Sequence, residues 1–108
     1  MGNRLSIEAL QRQTAARRAE AAAAERAGEA IFQRAQAIRD VVEALESESA
    51  NTADDAERAR LEHEAHVSLR EADLAESESR RLFAERDRAL SQAKTAEVKS
   101  ETIAHGRR

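Results

Sequence analysis

The sequence predicts an all-α protein, an antiparallel two-helix coiled-coil hairpin expected to dimerise into a four-helix bundle. Three observations predict it: a helix-forming composition, two heptad seams that are out of phase, and capping residues where the phase fails. Ala, Glu, Lys, Leu and Arg supply 67 of the 108 residues and proline is absent, well above the roughly half that marks long helices. Sheet architectures are thereby excluded. Leu, Ile, Val and Phe number only 18, too few for an ordinary globular core. A lone monomer is expected to be marginal.

Helix 1 is expected over about residues 4–49, with Asn3 or Ser6 able to cap its start. Its seam runs Ile7, Leu10, Thr14, Arg17, Ala21, Ala24, Gly28, Ile31, Ala35, Ile38, Val42, Leu45, Ser49, alternating steps of three and four. Gly28 is the one glycine inside a helical stretch and costs about 1 kcal/mol relative to alanine, so packing must require it. The turn is expected over about 50–52, with Asn51 or Thr52 capping the next helix and Asp54 and Asp55 in its first turn. Helix 2 then spans about 53–104, before a frayed tail over 105–108 that opens on His105-Gly106. Its seam is Leu61, Ala65, Ser68, Ala72, Ala75, Ser79, Leu82, Arg86, Ala89, Ala93, Ala96, Ser100, Ile103. A stammer in one continuous helix could also shift the phase, but it would not place caps there.

Folding back about Asn51 sets Ile38 opposite Ala65, Ile31 opposite Ala72, Ala21 opposite Leu82 and Leu10 opposite Ala93, large facing small. The expected product is a thin rod of roughly 70 Å. Arg17 and Arg86 then share one polar seam layer, their heads turned out toward Glu20, Glu85 or Asp87. Beside the seams, Phe32, Val41, Leu69, Phe83 and Leu90 leave more apolar surface than one seam uses, which points to a homodimer or a partner helix.

Charge segregates along the chain. Residues 1–39 carry a net +3, residues 40–79 a net −10 and residues 80–108 a net +4. A hairpin would thus have an acidic bend and a basic open end, with Arg12, Arg18, Arg81 and Arg88 marking the basic end. Such polarity suits an adaptor that docks protein partners of opposite charge at its two ends, charge setting orientation and on-rate.

Chemistry is poorly provided for. Cysteine is absent, which removes disulfides and thiolate sites. His63 and His66 are three apart with Glu64 between, whereas a zinc protease helix needs four, so they read as exposed side chains and not as a metal site. Scattered glycines make no phosphate loop, and a two-helix rod has no pocket to split carboxylate pKa values. Neither an enzyme nor a cofactor is expected. A second alternative is a nucleic-acid or membrane-surface binder: nucleic acid could meet the basic end through Arg12, Arg17, Arg18, Arg80, Arg81, Arg86, Arg88, Lys94 and Lys99, but the chain is acidic overall and lacks aromatic stacking platforms. No apolar run suits a membrane span or a secretory leader, so a cytoplasmic location is the expectation. Met1-Gly2-Asn3-Arg4-Leu5-Ser6 does match the loose N-myristoylation pattern. Sixteen arginines to two lysines suggest a GC-rich, bacterial genome.

In composition and in its two seams the chain resembles the small coiled-coil stalk proteins of flagellar and virulence type III export, the FliJ/YscO group, although it is shorter than their usual members and matches no residue motif. That resemblance implies a cytoplasmic hairpin whose open end inserts into a hexameric ATPase ring while its bend meets other export components. An alternative is a small helical-hairpin substrate of a specialised secretion system, whose best-known group carries a Trp-x-Gly turn where this chain reads Ser49-Ala50-Asn51-Thr52.

Overall fold

The computed structural model describes the backbone of residues 2–106 and the side chains of residues 4–106. Met1, the Asn3 side chain and Arg107–Arg108, which bear on the acylation pattern, the first cap and the tail, lie outside the described residues. Two helices account for the fold, α1 (Gly2–Asn51) and α2 (Asp55–His105). They run antiparallel as a hairpin, joined by residues 52–54. No strand occurs among the described residues.

The junction falls later than the expected 50–52, and its cap is different. Asp54 caps α2: its Oδ1 accepts the Ala56 N–H at 3.0 Å, and its carbonyl accepts the Arg58 N–H at 2.9 Å. Asn51 is the last residue of α1 and Thr52 lies in the loop, so neither is the N-cap. A carboxylate caps well because it accepts orphan N–H groups while facing the positive end of the helix dipole, to which Asp55 and Glu57 in the first turn add. Arg58 completes the junction, donating to the Thr52 carbonyl at 2.7 Å and pairing with Asp55 at 3.3 Å. α1 has no basic residue in its own last turn, so this guanidinium from α2 supplies the positive charge beside its C-terminal end.

By packing, the chain divides into two compact units, Ala27–Arg81 and the pair of segments Met1–Arg26 and Leu82–Arg108. The first holds 14 acidic and 7 basic residues, a net −7, and the second 11 basic and 7 acidic, a net +4. We call them the acidic unit and the basic unit. Every residue of the two expected seams is buried or half-buried. In the acidic unit the buried set is Gly28, Ala35, Val42, Ser49, Leu61, Ala65, Ala72 and Ser79, and in the basic unit it is Thr14, Ala21, Ala89, Ala93, Ala96 and Ser100. The core is therefore built mostly from small side chains, with Val42 and Leu61 the larger members, and Ile31, Ile38 and Leu45 sit half-buried along its edge.

The register differs from the expected one. With Ile31 opposite Ala72, Gly28 would be level with Ala75. Instead the Gly28 carbonyl accepts the Ser79 hydroxyl at 3.0 Å, one turn further along α2. In the basic unit Arg86 reaches Glu25 at 3.3 Å and Arg18 reaches Glu97 at 2.7 Å, displacements in the same sense. The later junction explains the shift: with α1 continuing through Asn51 and the loop centred on Ala53, α2 starts further along the sequence than a turn at Asn51 allows.

Capping by Asp54 gives the first prediction. Asp54→Ala should lower the unfolding free energy by about 1 kcal/mol, measured by urea denaturation followed by helical circular dichroism. Asn51→Ala should change it by less than half as much. The reverse order would place the cap at Asn51.

Candidate partner-binding surfaces

The flanks of the seam carry the polar chemistry. In the acidic unit Arg39 bridges the helices, its Nε donating to Glu76 at 2.6 Å and its Nη2 to Asp73 at 2.9 Å. The hydrogen bond from Arg39 holds the Glu76 carboxyl below its ordinary value and raises the Arg39 guanidinium in turn. Pairs within α2 lie on the opposite flank: Glu57 with Arg60 and Glu78 with Arg81, each glutamate lowered by its arginine's hydrogen bond.

In the basic unit Arg17 and Arg86 do not share a layer. Arg86 reaches along α1 to Glu25, and a register shifted by one turn sets it about one turn beyond Arg17. Each stem lies half-buried along the seam and each head turns outward, Arg17 to Glu20 at 3.1 Å and Arg86 to Asp87 at 3.0 Å. The Arg86 guanidinium also lies 5.0 Å from the Phe83 ring centre, within range of a cation–π contact. Separated like this, the two arginines avoid the repulsion that a common layer would impose.

Of the four residues assigned to a basic end, Arg12, Arg18 and Arg88 belong to the basic unit, whereas Arg81 belongs to the acidic one. Arg12 and Arg88 are exposed, and Arg18 is held by Glu97. The groove beside Arg18 is polar, lined by Gln11, Thr14, Arg18, Glu97 and Glu101 among others.

The five expected interface residues divide between the two units. Phe32, Val41 and Leu69 lie in the acidic unit, Phe83 and Leu90 in the basic one. Within the acidic unit Phe32 and Leu69 stand one heptad before Arg39 and Glu76, on the flank those two residues bridge. Val41 faces the opposite flank, in a groove with Leu45, His63, Glu64, Val67 and Ser68. Along the same two helix stripes a second groove is lined by Ile31, Arg34, Ile38, Glu71, Leu74, Ala75 and Glu78. Leu74 is 72% exposed, the highest value among the large apolar side chains of the described residues, ahead of Leu5 at 66% and Val41 at 52%. Val67 and Leu74, one heptad apart on α2, carry this apolar flank and were not among the expected residues.

Both His63 and His66 are exposed, and among the described residues no group of three or more His, Asp or Glu side chains gathers to hold a metal ion. No helix is long and apolar enough to cross a membrane among those residues. No protein-family model, curated protein or solved structure matches this chain.

Because Glu76 is held below its ordinary value of 4.5, its pairing with Arg39 stabilises the fold above that value and is lost as pH falls through the lowered one. Glu76→Gln should melt below the wild type at neutral pH, and the gap should close as pH falls below the ordinary carboxylate value. Thermal melts across that range check this. A gap that stays constant would mean that Glu76 contributes through packing instead of charge.

Proposed function

We propose that the protein is a non-enzymatic coiled-coil adaptor or scaffold subunit, which joins protein partners of opposite charge through its two units. The observation that carries this reading is the partition of charge, a net −7 in one unit and +4 in the other, in a fold whose apolar side chains are not all used. Solubility alone needs charge, not its segregation, whereas segregated charge orients partners and speeds their encounter. Self-association through Phe32 and Leu69 would bury apolar surface of the acidic unit, and self-association through Phe83 and Leu90 that of the basic unit. Its sharpest form is a stalk of a bacterial protein-export machine of the type III kind, acting in the cytoplasm.

Arg12, Arg18 and Arg88 are the residues to test, Arg81 being set aside because it lies in the acidic unit. The full-length chain, immobilised, should capture protein from a lysate of its own organism in a salt-dependent way. Substituting all three arginines by glutamine should abolish part of that capture and flatten its salt dependence while helicity is retained. Identical capture by wild type and variant across a salt series contradicts the adaptor reading. Arginine-dependent retention on nucleic acid without any protein partner would favour a nucleic-acid binder instead.

A further inference from the structure

The seam of the acidic unit offers α2 two seats on α1. In the occupied seat the loop is residues 52–54 and the Gly28 carbonyl meets Ser79. Moving the loop to residues 50–52 would set Gly28 opposite Ala75 instead, a displacement of α2 by one helical turn, about 6 Å along α1. The junction keeps its length, and the same residues line the seam in both alignments. Opposite Gly28 and Ala35 stand Ser79 and Ala72 in the occupied seat and Ala75 and Ser68 in the other, and side chains this small meet without overpacking in either.

The second seat has its own signals in the sequence. There Ile38 meets Ala65 and Ile31 meets Ala72, large against small, and Asn51 or Thr52 is placed to cap α2. What holds the occupied seat is local and polar. Asp54 caps α2, Arg58 bonds the Thr52 carbonyl, Ser79 bonds the Gly28 carbonyl, and Arg39 crosses to Glu76 and Asp73. The Arg39 pairs are solvent-exposed, and pairs of that kind are weak one by one, so an outside group can compete for the guanidinium.

We propose that the acidic unit is a two-position register switch, in which α2 steps one turn along α1 when a partner's carboxylate draws Arg39 away from Glu76 and Asp73. One-turn steps of one packed element past another are an established form of switching, because interdigitated packings are discrete and do not deform continuously. The step carries the loop from 52–54 to 50–52, so that binding beside Arg39 changes the surface at the bend. The switch goes beyond the adaptor reading and does not require it.

The test uses the full chain with two cysteine pairs that share Ala35→Cys. Ala72→Cys completes the pair for the occupied seat, and Ser68→Cys completes the pair for the second. Under oxidised glutathione the Ala72 pair should close roughly tenfold or more faster in the otherwise native chain. Adding Arg39→Gln, Asp54→Ala and Ser79→Ala should move that ratio by about tenfold or more toward the Ser68 pair, with the helical circular dichroism retained. Adding Asn51→Ala and Thr52→Ala to the unlocked chain should return the ratio toward its native value, because they remove the caps of the second seat and leave the Thr52 carbonyl in place. A ratio that does not move on unlocking overturns the proposal. So does a loss of helicity with both pairs affected alike, or a ratio that the added cap substitutions fail to restore, since either would mean that the polar contacts prevent fraying and not a step.

Discussion

The fold depends on the close approach of two helices along a seam of small side chains. The Ser79 hydroxyl donates to the Gly28 carbonyl at 3.0 Å, a buried bond from a side chain of one helix to the backbone of the other. Ala35 and Ala72, one heptad away on each helix, are both fully buried at 0% exposure. A seam of this kind buries little apolar area per residue and gains instead from dense van der Waals contact between backbones. Its buried polar side chains are satisfied: Thr14 bonds the Leu10 carbonyl and Ser49 reaches Glu62, and no buried side-chain donor or acceptor among the described residues lacks a partner. A core made from small residues also explains where the larger ones went. Ile31, Ile38 and Leu45 cannot enter the seam fully, so they form its rim, and Leu74 stands outside it. The apolar flank of the acidic unit is thus a by-product of how the hairpin packs.

Ion pairs do a different job. Arg39 with Glu76 and Asp73, Arg86 with Glu25, and Arg18 with Glu97 each join α1 to α2. Being solvent-exposed, such pairs contribute little stability one by one. They matter more for specificity, since an alanine-rich seam could slide by a turn with small loss of packing, whereas sliding would break all of these pairs together. Arg58 acts similarly at the junction, tying the first turn of α2 to the carbonyl of Thr52.

Both seams were legible in the sequence because heptad spacing reports directly which residues face inward, and all the residues assigned to them are buried or half-buried. Register was less legible for a physical reason. With alanine or serine at so many seam positions, pairing large against small can be satisfied in more than one alignment, and only the cross-helix arginines and Ser79 distinguish them. The cap was misplaced by about one helical turn because Asn51, Thr52 and Asp54 are all good N-caps by type; what decides for Asp54 is Arg58, whose bond to the loop is visible only in three dimensions. The expected interface followed the heptad line of Leu69, Phe83 and Leu90 and grouped Val41 with it, although Val41 lies across the seam. Val67 and Leu74, themselves one heptad apart, were the signal in the sequence that could have identified the other flank.

The register of the hairpin is the central claim, and engineered cysteines test it directly because the native chain has none. Gly28→Cys combined with Ser79→Cys should form an intramolecular disulfide rapidly under mild oxidation, since the two sites are close enough for a side chain to bond the opposite backbone. Gly28→Cys combined with Ala75→Cys, the pairing that a turn at Asn51 would favour, should close much more slowly. Faster closure of the Ala75 pair, or disulfides that form only between chains, would contradict the account.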